Sequence, residues 1–187
     1  MNVSFKASLV GYATVIKRNN NTNKESGYIS SFVELDKANN DDYEALRQIA
    51  LGWNKGYSYA KDVFDNFSYE KFGKKISNDA NYRYFALTKH SSPFNKLNAD
   101  SILGVATLRE EADKTFTLEH LQVAPMQEYT SPNRKFKHIG QAILKTILDK
   151  FINTSIKLYA VDSDAEAFYK KLGFKNNKKS IYMIFKR

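Results

Sequence analysis

The stretch that decides the fold runs from Leu121 to Ala142 and reads LQVAPMQEYTSPNRKFKHIGQA. Its first three residues end an alternating apolar run that Pro125 closes, which is typical of the end of a β-strand. After a polar loop, apolar residues recur at intervals of three or four from His138 to Phe151, and this spacing predicts an amphipathic helix. A strand, a basic loop and a helix therefore follow one another here.

The loop in this stretch has the composition of a phosphate-binding site. Arg134, Lys135 and Lys137 supply positive charge directly before the helix begins. The free backbone N–H groups and the positive dipole of a helix N-terminus attract anions, and Gly140 and Ala142 would let a phosphate approach closely. The alternative is that these small residues only allow the helix to pack closely against a neighbour.

Patterning on both sides of this stretch predicts a mixed set of elements. Strands are predicted over Phe5–Ile16, Tyr28–Leu35, Tyr82–Thr88, Ile102–Leu108, Thr115–Val123, Ile156–Val161 and Ile181–Lys186. A first helix is predicted from a cap among residues 40–42 to Gly52, and one or two short helices are predicted between Trp53 and Phe72. This order predicts an α+β fold in which helices flank a mixed sheet.

A capping box predicts where the last helix begins. Ser163 and Glu166 form the S-x-x-E pattern, in which two side chains satisfy free backbone N–H groups of the first turn. Gly173 suits the left-handed residue that ends a helix, and Phe174 suits the hydrophobic residue that follows it. The sequence therefore predicts a short helix from Ser163 to about Leu172.

Length and composition are those of a globular chain. The 187 residues predict one domain over residues 1–187. The sequence has no cysteine and three histidines, which disfavours disulfides, thiol nucleophiles and a metal site. No apolar run is long enough for a membrane span and the N-terminus lacks the pattern of a signal peptide, so a cytoplasmic protein is expected.

The positive charge is concentrated in the last third of the chain. The sequence has 29 basic and 20 acidic residues, a net charge of +9, and residues 133–187 carry 13 of the basic and 4 of the acidic ones. A local basic surface favours a polyanionic partner, either a phosphorylated cofactor or a nucleic acid. A solvated lysine-rich face is the alternative interpretation.

Three motifs in this order resemble the GNAT superfamily of N-acetyltransferases. They are Leu121-x-Val123-x-Pro125, Lys137-x-x-Gly140-x-Ala142, and Ala165-x-x-Phe168-Tyr169 followed by Leu172-Gly173-Phe174. The resemblance covers residues 102–174 well and the remainder only in the order of elements. It implies the GNAT acyl-CoA N-acyltransferase fold, acetyl-CoA as the acetyl donor, and transfer of the acetyl group to an amine by direct attack.

The resemblance also implies a set of cofactor contacts. They are Leu121, Val123, Arg134, Lys137, His138, Ile139, Gly140, Gln141, Ala142, Asp162, Phe168 and Tyr169. Two positions depart from the family pattern. Lys137 stands where the family has Arg or Gln, after a loop that is longer than usual. Asp162 stands where the family often has Asn, and a carboxylate can accept a hydrogen bond from the pantetheine amide but cannot donate one.

The resemblance assigns two catalytic roles. Tyr169 matches the family tyrosine that protonates the leaving thiolate, and a phenol with a pKa of about 10 carries its proton at neutral pH. Glu119 lies where related enzymes often place a base, and strand alternation predicts that it shares a face with Leu121 and Val123. Alternatives stay open: Tyr169 as a core aromatic, Glu119 as the partner of a lysine, and His120, predicted on the opposite face, as the base.

Two other functions are compatible with the residues. A nucleic-acid-binding protein would use the basic last third and the aromatic and lysine residues between Trp53 and Lys75. A GNAT-like protein without turnover would bind acyl-CoA and transfer nothing. The sequence does not identify the acceptor amine, which is a small molecule, a peptide or a protein, and a homodimer is left open.

Overall fold

The computed structural model describes residues 7–19, 21–53, 59–76, 81–89, 97–128, 130–178 and 180–186. The strands are β1 (Ser8–Arg18), β2 (Glu25–Glu34), β3 (Asn81–Thr88), β4 (Ile102–Glu110), β5 (Phe116–Val123), β6 (Phe136–Lys137), β7 (Ile156–Leu158), β8 (Lys175–Asn176) and β9 (Met183–Phe185). The helices are α1 (Asn40–Gly52), α2 (Tyr59–Lys71), α3 (Ile139–Lys150) and α4 (Ser163–Lys171). Phe5 and residues 54–58, which the sequence places in elements, lie outside the described residues.

The described strands form one mixed sheet in the order β6-β1-β2-β3-β4-β5-β7-β9-β8. Neighbouring strands pair antiparallel except β5 and β7, which pair parallel. A parallel pair needs a long crossover connection, and here the crossover contains the basic loop and α3. The predicted α+β fold with a mixed sheet flanked by helices is confirmed.

The sheet separates two apolar cores. Along β3, Phe85 belongs to one core and Tyr84 to the other, as the alternation of a strand requires. The first core lies under α3, which buries Ile143 and Leu144 there, and α4 packs against its edge. The second core lies under α1 and α2, with Phe67 of α2 fully buried. The sheet thus has an α3/α4 face and an α1/α2 face.

Two glycines are required by the packing. A Cβ at Gly104 of β4 would lie 2.8 Å from Ile143 Cδ1 and 3.0 Å from the carbonyl oxygen of Gln122, so only glycine lets α3 approach the sheet this closely. Gly173 has φ +95, the left-handed conformation that the sequence predicts for the end of α4. The chain then turns so that Phe174 is buried in the α3/α4 core.

The structure corrects several predicted boundaries. Asn39 is the N-cap of α1, one residue before the predicted caps, because its side chain accepts a hydrogen bond from the backbone N–H of Asp41. Asp162, rather than Ser163, is the N-cap of α4 and accepts from the N–H of Ala165 at 2.7 Å. The loop after Pro125 contains β6, which pairs with β1 at Ile16 and Lys17 and was not predicted.

A buried carboxylate lies in the first turn of α1. Asp42 Oδ2 accepts a hydrogen bond from the N–H of Asp36 at 2.8 Å, and Oδ1 accepts one from the Asn39 side-chain amide at 3.1 Å. Burial raises the pKa of Asp42 to about 6, although the hydrogen bond from Asp36 opposes the shift. The folded protein therefore binds this proton more tightly than the unfolded chain, in which an aspartate has a pKa of about 3.9.

We expect the stabilising contribution of protonated Asp42 to be complete below about pH 4 and to be lost as the pH rises through about 6, with a loss of about 2 kcal/mol between about pH 4.5 and about pH 7.5. Denaturant unfolding of the wild type and of Asp42→Asn at about pH 4.5 and about pH 7.5 measures it. The difference in unfolding free energy between the two proteins should change by this amount. Exposed Asp100, changed to Asn, is the matched control. A difference that is the same at both pH values contradicts the prediction.

Candidate active site

A cavity opens where β5 and β7 separate. The two strands pair only from Phe116 with Ile156 to Leu118 with Leu158, and a cavity of about 490 Å³ lies beyond the last pair. The described residues that line it are Tyr59, Thr117, Leu118, Glu119, Leu121, Tyr159, Val161, Ala165, Tyr169, Ile181 and Tyr182. The cavity therefore brings the two predicted catalytic residues, Glu119 and Tyr169, to one place.

A β-bulge in β5 decides where Glu119 points. Against β4, His120 pairs with Thr107 and Leu118 pairs with Leu108, so Glu119 is an extra residue without a partner in the register. The side-chain alternation of β5 shifts at this point. Leu118 packs in the α3/α4 core, and so does Leu121, three residues later.

The bulge corrects the predicted strand parity. Glu119 lies beside Arg109 of β4, whose neighbour Leu108 points into the α3/α4 core, so Glu119 is on the α1/α2 face. Leu121 and Val123 pack on the opposite face. His120 also contacts the α1/α2 side, where its ring centroid lies 5.8 Å from that of Tyr59. Glu119 and His120 thus lie on the same side of the sheet, not on opposite sides.

Tyr169 reaches the cavity from α4. Its half-buried ring packs between Phe168 and Phe174, with centroid distances of 5.2 Å and 5.8 Å. Burial, with a smaller contribution from the nearby Tyr59 and Asp162, raises the pKa of Tyr169 to about 12. The phenol therefore keeps its proton at neutral pH, as a proton donor must.

The N-cap residue of α3 does not cap the helix with its side chain. His138 occupies the N-cap position with φ +62, a left-handed conformation that is uncommon for a residue with a Cβ, and its imidazole makes no capping hydrogen bond. The first N–H groups of any α-helix lack acceptors within the helix. The N–H groups of Ile139, Gly140 and Gln141 therefore have no acceptor within the helix.

Gly140 leaves space in front of this helix start. A Cβ placed there would meet Phe168 at 3.6 Å, Val123 at 3.8 Å and Leu121 at 3.9 Å, which are ordinary van der Waals distances. The neighbouring side chains thus do not require glycine. The missing Cβ instead clears the space through which a ligand would approach the backbone.

The sequence matches no protein-family model and no curated protein, but solved structures resemble this chain. A candidate acetyltransferase from Exiguobacterium sp. 255-15 has a TM-score of 0.53 at 18% identity, covering 83% of this chain and 92% of that one. A mutant of the toxin AtaT, bound to the C-terminus of the antitoxin AtaR and to acetyl-CoA, has a TM-score of 0.53 at 15% identity over the same shares, 83% and 92%. A candidate GNAT-family acetyltransferase from Desulfovibrio desulfuricans has a TM-score of 0.51 at 14% identity, covering 83% and 96%.

This chain has the GNAT fold. The resemblance that the three motifs predicted is thereby confirmed at the level of the fold. Identities this low carry no assignment of individual residues, so the roles of the site residues rest on their own geometry and chemistry.

Glu119 is the only carboxylate among the described residues that line the cavity of this GNAT fold. Its Oε1 lies 3.0 Å from Arg109 Nη1, but the geometry is not that of a hydrogen bond, and this buried oxygen has no hydrogen-bond partner among the described residues. Burial raises the pKa of Glu119, and the positive charges of Arg109 and Lys157 only partly offset it. A carboxylate in this state is a better proton acceptor than an exposed one.

Arg109 positions Glu119 within a small network of charges. Its Nε and Nη2 donate to Glu111 at 3.1 Å and 2.8 Å, and Glu111 also accepts from Thr117 Oγ1 at 2.7 Å. Lys157 Nζ lies 3.3 Å from the same carboxylate. Burial opposes ionisation of Glu111, but these hydrogen bonds outweigh it and lower the pKa. Strand alternation alone does not indicate this network, because it joins residues of three strands.

His120 is the weaker candidate for a base. It does not line the cavity, although it contacts Tyr59. Burial lowers the pKa of His120, with the charge of Asp62 acting in the opposite direction, and its Nδ1 is buried without a hydrogen-bond partner among the described residues. The ring is therefore a neutral part of the wall between β5 and α2.

Two of the three basic side chains of the loop contact other groups of the protein. Arg134 Nε donates to the carbonyl oxygen of Phe136 at 2.9 Å, and Lys137 forms an ion pair with Glu25. Gln127 Oε1 accepts from the N–H groups of Lys135 and Phe136 at 2.9 Å and 2.8 Å, which anchors the loop from a position that no sequence signal marked. The backbone before α3 is thus held in shape by side chains.

The other predicted cofactor contacts differ in which of their groups are available to a ligand. The side chains of Ile139 and Ala142 are buried in the core, so only their backbone groups are available. Asp162 is exposed, but its Oδ1 already accepts the capping hydrogen bond from Ala165. Phe168 is half-buried beside Gly140.

No group of three or more metal-ligating side chains occurs in the described part of the chain. None of the described helices has the length and apolar character needed to cross a membrane.

Proposed function

We propose that this protein is an acetyl-CoA-dependent N-acetyltransferase that acetylates an amine by direct attack. The observation that carries the proposal is the cavity between β5 and β7, which holds a carboxylate with a raised pKa and a protonated phenol, Glu119 and Tyr169. The cavity lies next to the uncapped start of α3. The GNAT fold and the acetyl-CoA bound to AtaT in its solved structure support the same function.

The residues present fit acetyl-CoA. The uncapped N–H groups of Ile139, Gly140 and Gln141 would receive the pyrophosphate, and Gly140 leaves the space for it. On the β7 side, β5 has no paired strand beyond Leu118 among the described residues. Its free backbone edge near Leu121 would bond the pantetheine amides in the manner of an added strand.

Acetyl-CoA supplies the acetyl group as a reactive thioester. The amine nitrogen forms a C–N bond to the acetyl carbon while the C–S bond breaks. Glu119 accepts the proton that the amine loses, and Tyr169 donates its hydroxyl proton to the leaving sulfur. Glu119 then releases its proton to solvent, and Tyr169 takes a proton from solvent. The amine has lost one proton and the sulfur has gained one, so the protons balance.

The proposal is tested by the variant Gly140→Ala. Its Cβ meets neighbours at ordinary distances, and alanine favours a helix over glycine by about 1 kcal/mol, so folding and stability should be kept. The same methyl group occupies the approach to the helix start. We expect the affinity for acetyl-CoA, measured by calorimetry, to fall at least about tenfold.

Gly52→Ala is the matched control, since a Cβ at the end of α1 meets nothing within 4 Å and lies outside the cavity. This variant should bind acetyl-CoA as the wild type does. Absence of saturable binding to the folded wild-type protein would overturn the proposed function. Equal affinities of the two alanine variants would overturn the placement of the pyrophosphate at α3.

The alternative of a nucleic-acid-binding protein stays a prediction with its own test. Three lysines of the basic last third, Lys137, Lys157 and Lys170, pair with carboxylates in the structure. An oligonucleotide that binds tightly with a steep salt dependence, and that free CoA does not displace, would favour this alternative. Displacement by CoA would place both ligands at the same anion site.

A further inference from the structure

The part of the cavity on the α1/α2 face is apolar and aromatic. Beyond the end of β7, Ala160 packs against the α3/α4 core, whereas its neighbours Tyr159 and Val161 are exposed and line the cavity with Glu119. Lys157 of β7 lies between Ile156 and Leu158 of the α3/α4 core and therefore points to the α1/α2 face. Tyr182 lies on this face as well, because the Nζ of Lys157 is 5.5 Å from the centroid of its ring. Tyrosine rings and aliphatic side chains therefore surround the carboxylate on the side from which an acceptor would enter.

The mouth of the cavity exposes an unusual amount of apolar surface. Tyr159, Val161 and Ile181 are 54%, 58% and 73% exposed, and all three line the cavity. Large apolar side chains that are grouped and exposed beside a site mark a surface that a ligand covers. A bound apolar group would bury them.

The charge of the cavity limits the acceptor further. Glu119 is the one charged side chain among its described lining residues. A single carboxylate beside aromatic rings matches one ammonium group, through an ion pair and cation–π contact. An acceptor with several amines would place its other cations against tyrosine and isoleucine side chains, where no described lining residue neutralises them.

We infer that the acceptor is a monoamine in which a short alkyl chain joins one primary amino group to an aromatic ring or a branched aliphatic group. This inference rests on the proposed function and names its acceptor class. Glu119 holds and deprotonates the amino group, while Tyr159, Val161 and Ile181 cover the apolar group. Polyamines and other acceptors with several positive charges are excluded from efficient turnover.

Release of CoA thiol is measured with phenethylamine and isopentylamine, and with putrescine and spermidine, at equal concentrations and saturating acetyl-CoA. We expect kcat/KM for the two apolar amines to exceed that for the two polyamines at least about tenfold. Calorimetric titration of phenethylamine into the protein with free CoA bound measures binding of the amine at the same site without turnover. Phenethylamine should bind and putrescine should not.

Ile181→Ser identifies the surface that selects the acceptor. We expect it to lower kcat/KM for phenethylamine roughly tenfold and so to reduce the preference for phenethylamine over putrescine. Ile152→Ser is the matched control, because Ile152 is a 51% exposed isoleucine that does not line the cavity. It should have no effect on either amine.

The outcomes separate this inference from the proposed function. Fastest thiol release with spermidine or putrescine would overturn the acceptor class and leave the transferase in place. Equal effects of the two serine variants would also overturn it. If acetyl-CoA does not bind while phenethylamine does, the transferase is wrong and the amine site stands. Absence of both phenethylamine binding and turnover would overturn the inference.

Discussion

Replacing Tyr169 by phenylalanine is expected to lower kcat by about 10² to 10⁴-fold while the affinity for acetyl-CoA stays nearly unchanged. The substitution removes one hydroxyl and keeps the ring that packs between Phe168 and Phe174. A pKa raised to about 12 keeps the phenol protonated, so in the wild type it is ready to donate to a departing thiolate. Without it, the thiolate would have to take its proton from water or from the substrate.

Single-turnover and steady-state rates with a competent amine measure this effect, together with calorimetry for acetyl-CoA and thermal unfolding for stability. The ring contacts of Tyr169 predict an unfolding temperature close to that of the wild type. Tyr12→Phe is the matched control, since Tyr12 is an exposed tyrosine of β1 outside the cavity. Near wild-type turnover by Tyr169→Phe would mean that Tyr169 is only a core aromatic of α4 and does not protonate the leaving thiolate.

The parts of the fold that local patterns encode could be predicted from the sequence. The four-residue apolar repeat of α3 and the left-handed Gly173 at the end of α4 both agree with the structure. Each depends on neighbours within a turn or two of the chain. The same holds for the start of α3, which lies at Ile139, directly after the basic loop, close to the predicted His138.

What the sequence could not predict depends on partners far along the chain. The bulge at Glu119 exists only in the register of β5 against β4, so alternation counted along β5 alone places the carboxylate on the wrong face. The capping box predicts Ser163 as the cap of α4, but Asp162, with an extended backbone, is the residue that caps it. The cavity follows from the early end of the pairing between β5 and β7, which no local pattern marks.

Because of the bulge, one short segment of β5 presents side chains toward both the cofactor and the acceptor of the proposed reaction. Leu121 and Val123 face α3 and α4, where the cofactor would lie, and Glu119 faces the side from which the acceptor would enter. In a regular strand, consecutive side chains point to opposite faces of the sheet, so Glu119 and His120 could not both lie on the same side. An extra residue in β5 therefore places Glu119, the proposed base, across the sheet from the helix start proposed to bind phosphate.

Replacing Glu119 by glutamine is expected to lower kcat/KM by about 10² to 10³-fold near neutral pH and by less at high pH. Glutamine keeps the shape of the side chain but accepts no proton at these pH values. In the wild type, the rate falls as the pH drops through the pKa of Glu119, which burial raises above its ordinary value. At high pH more of the acceptor is already neutral, so the loss of the base matters less.

The ratio of the variant's kcat/KM to that of the wild type, measured across the pH range with one amine, is the decisive quantity. Above the pKa of Glu119 this ratio should rise with pH, because more of the amine is then neutral without the help of a base; below that pKa the ratio should also approach one, because the wild type loses its ionised carboxylate. Glu128→Gln, a change at an exposed residue that does not line the cavity, should give a ratio near one throughout. A ratio for Glu119→Gln that is reduced equally at every pH would mean that Glu119 holds the amine in place through its charge and that water takes the proton.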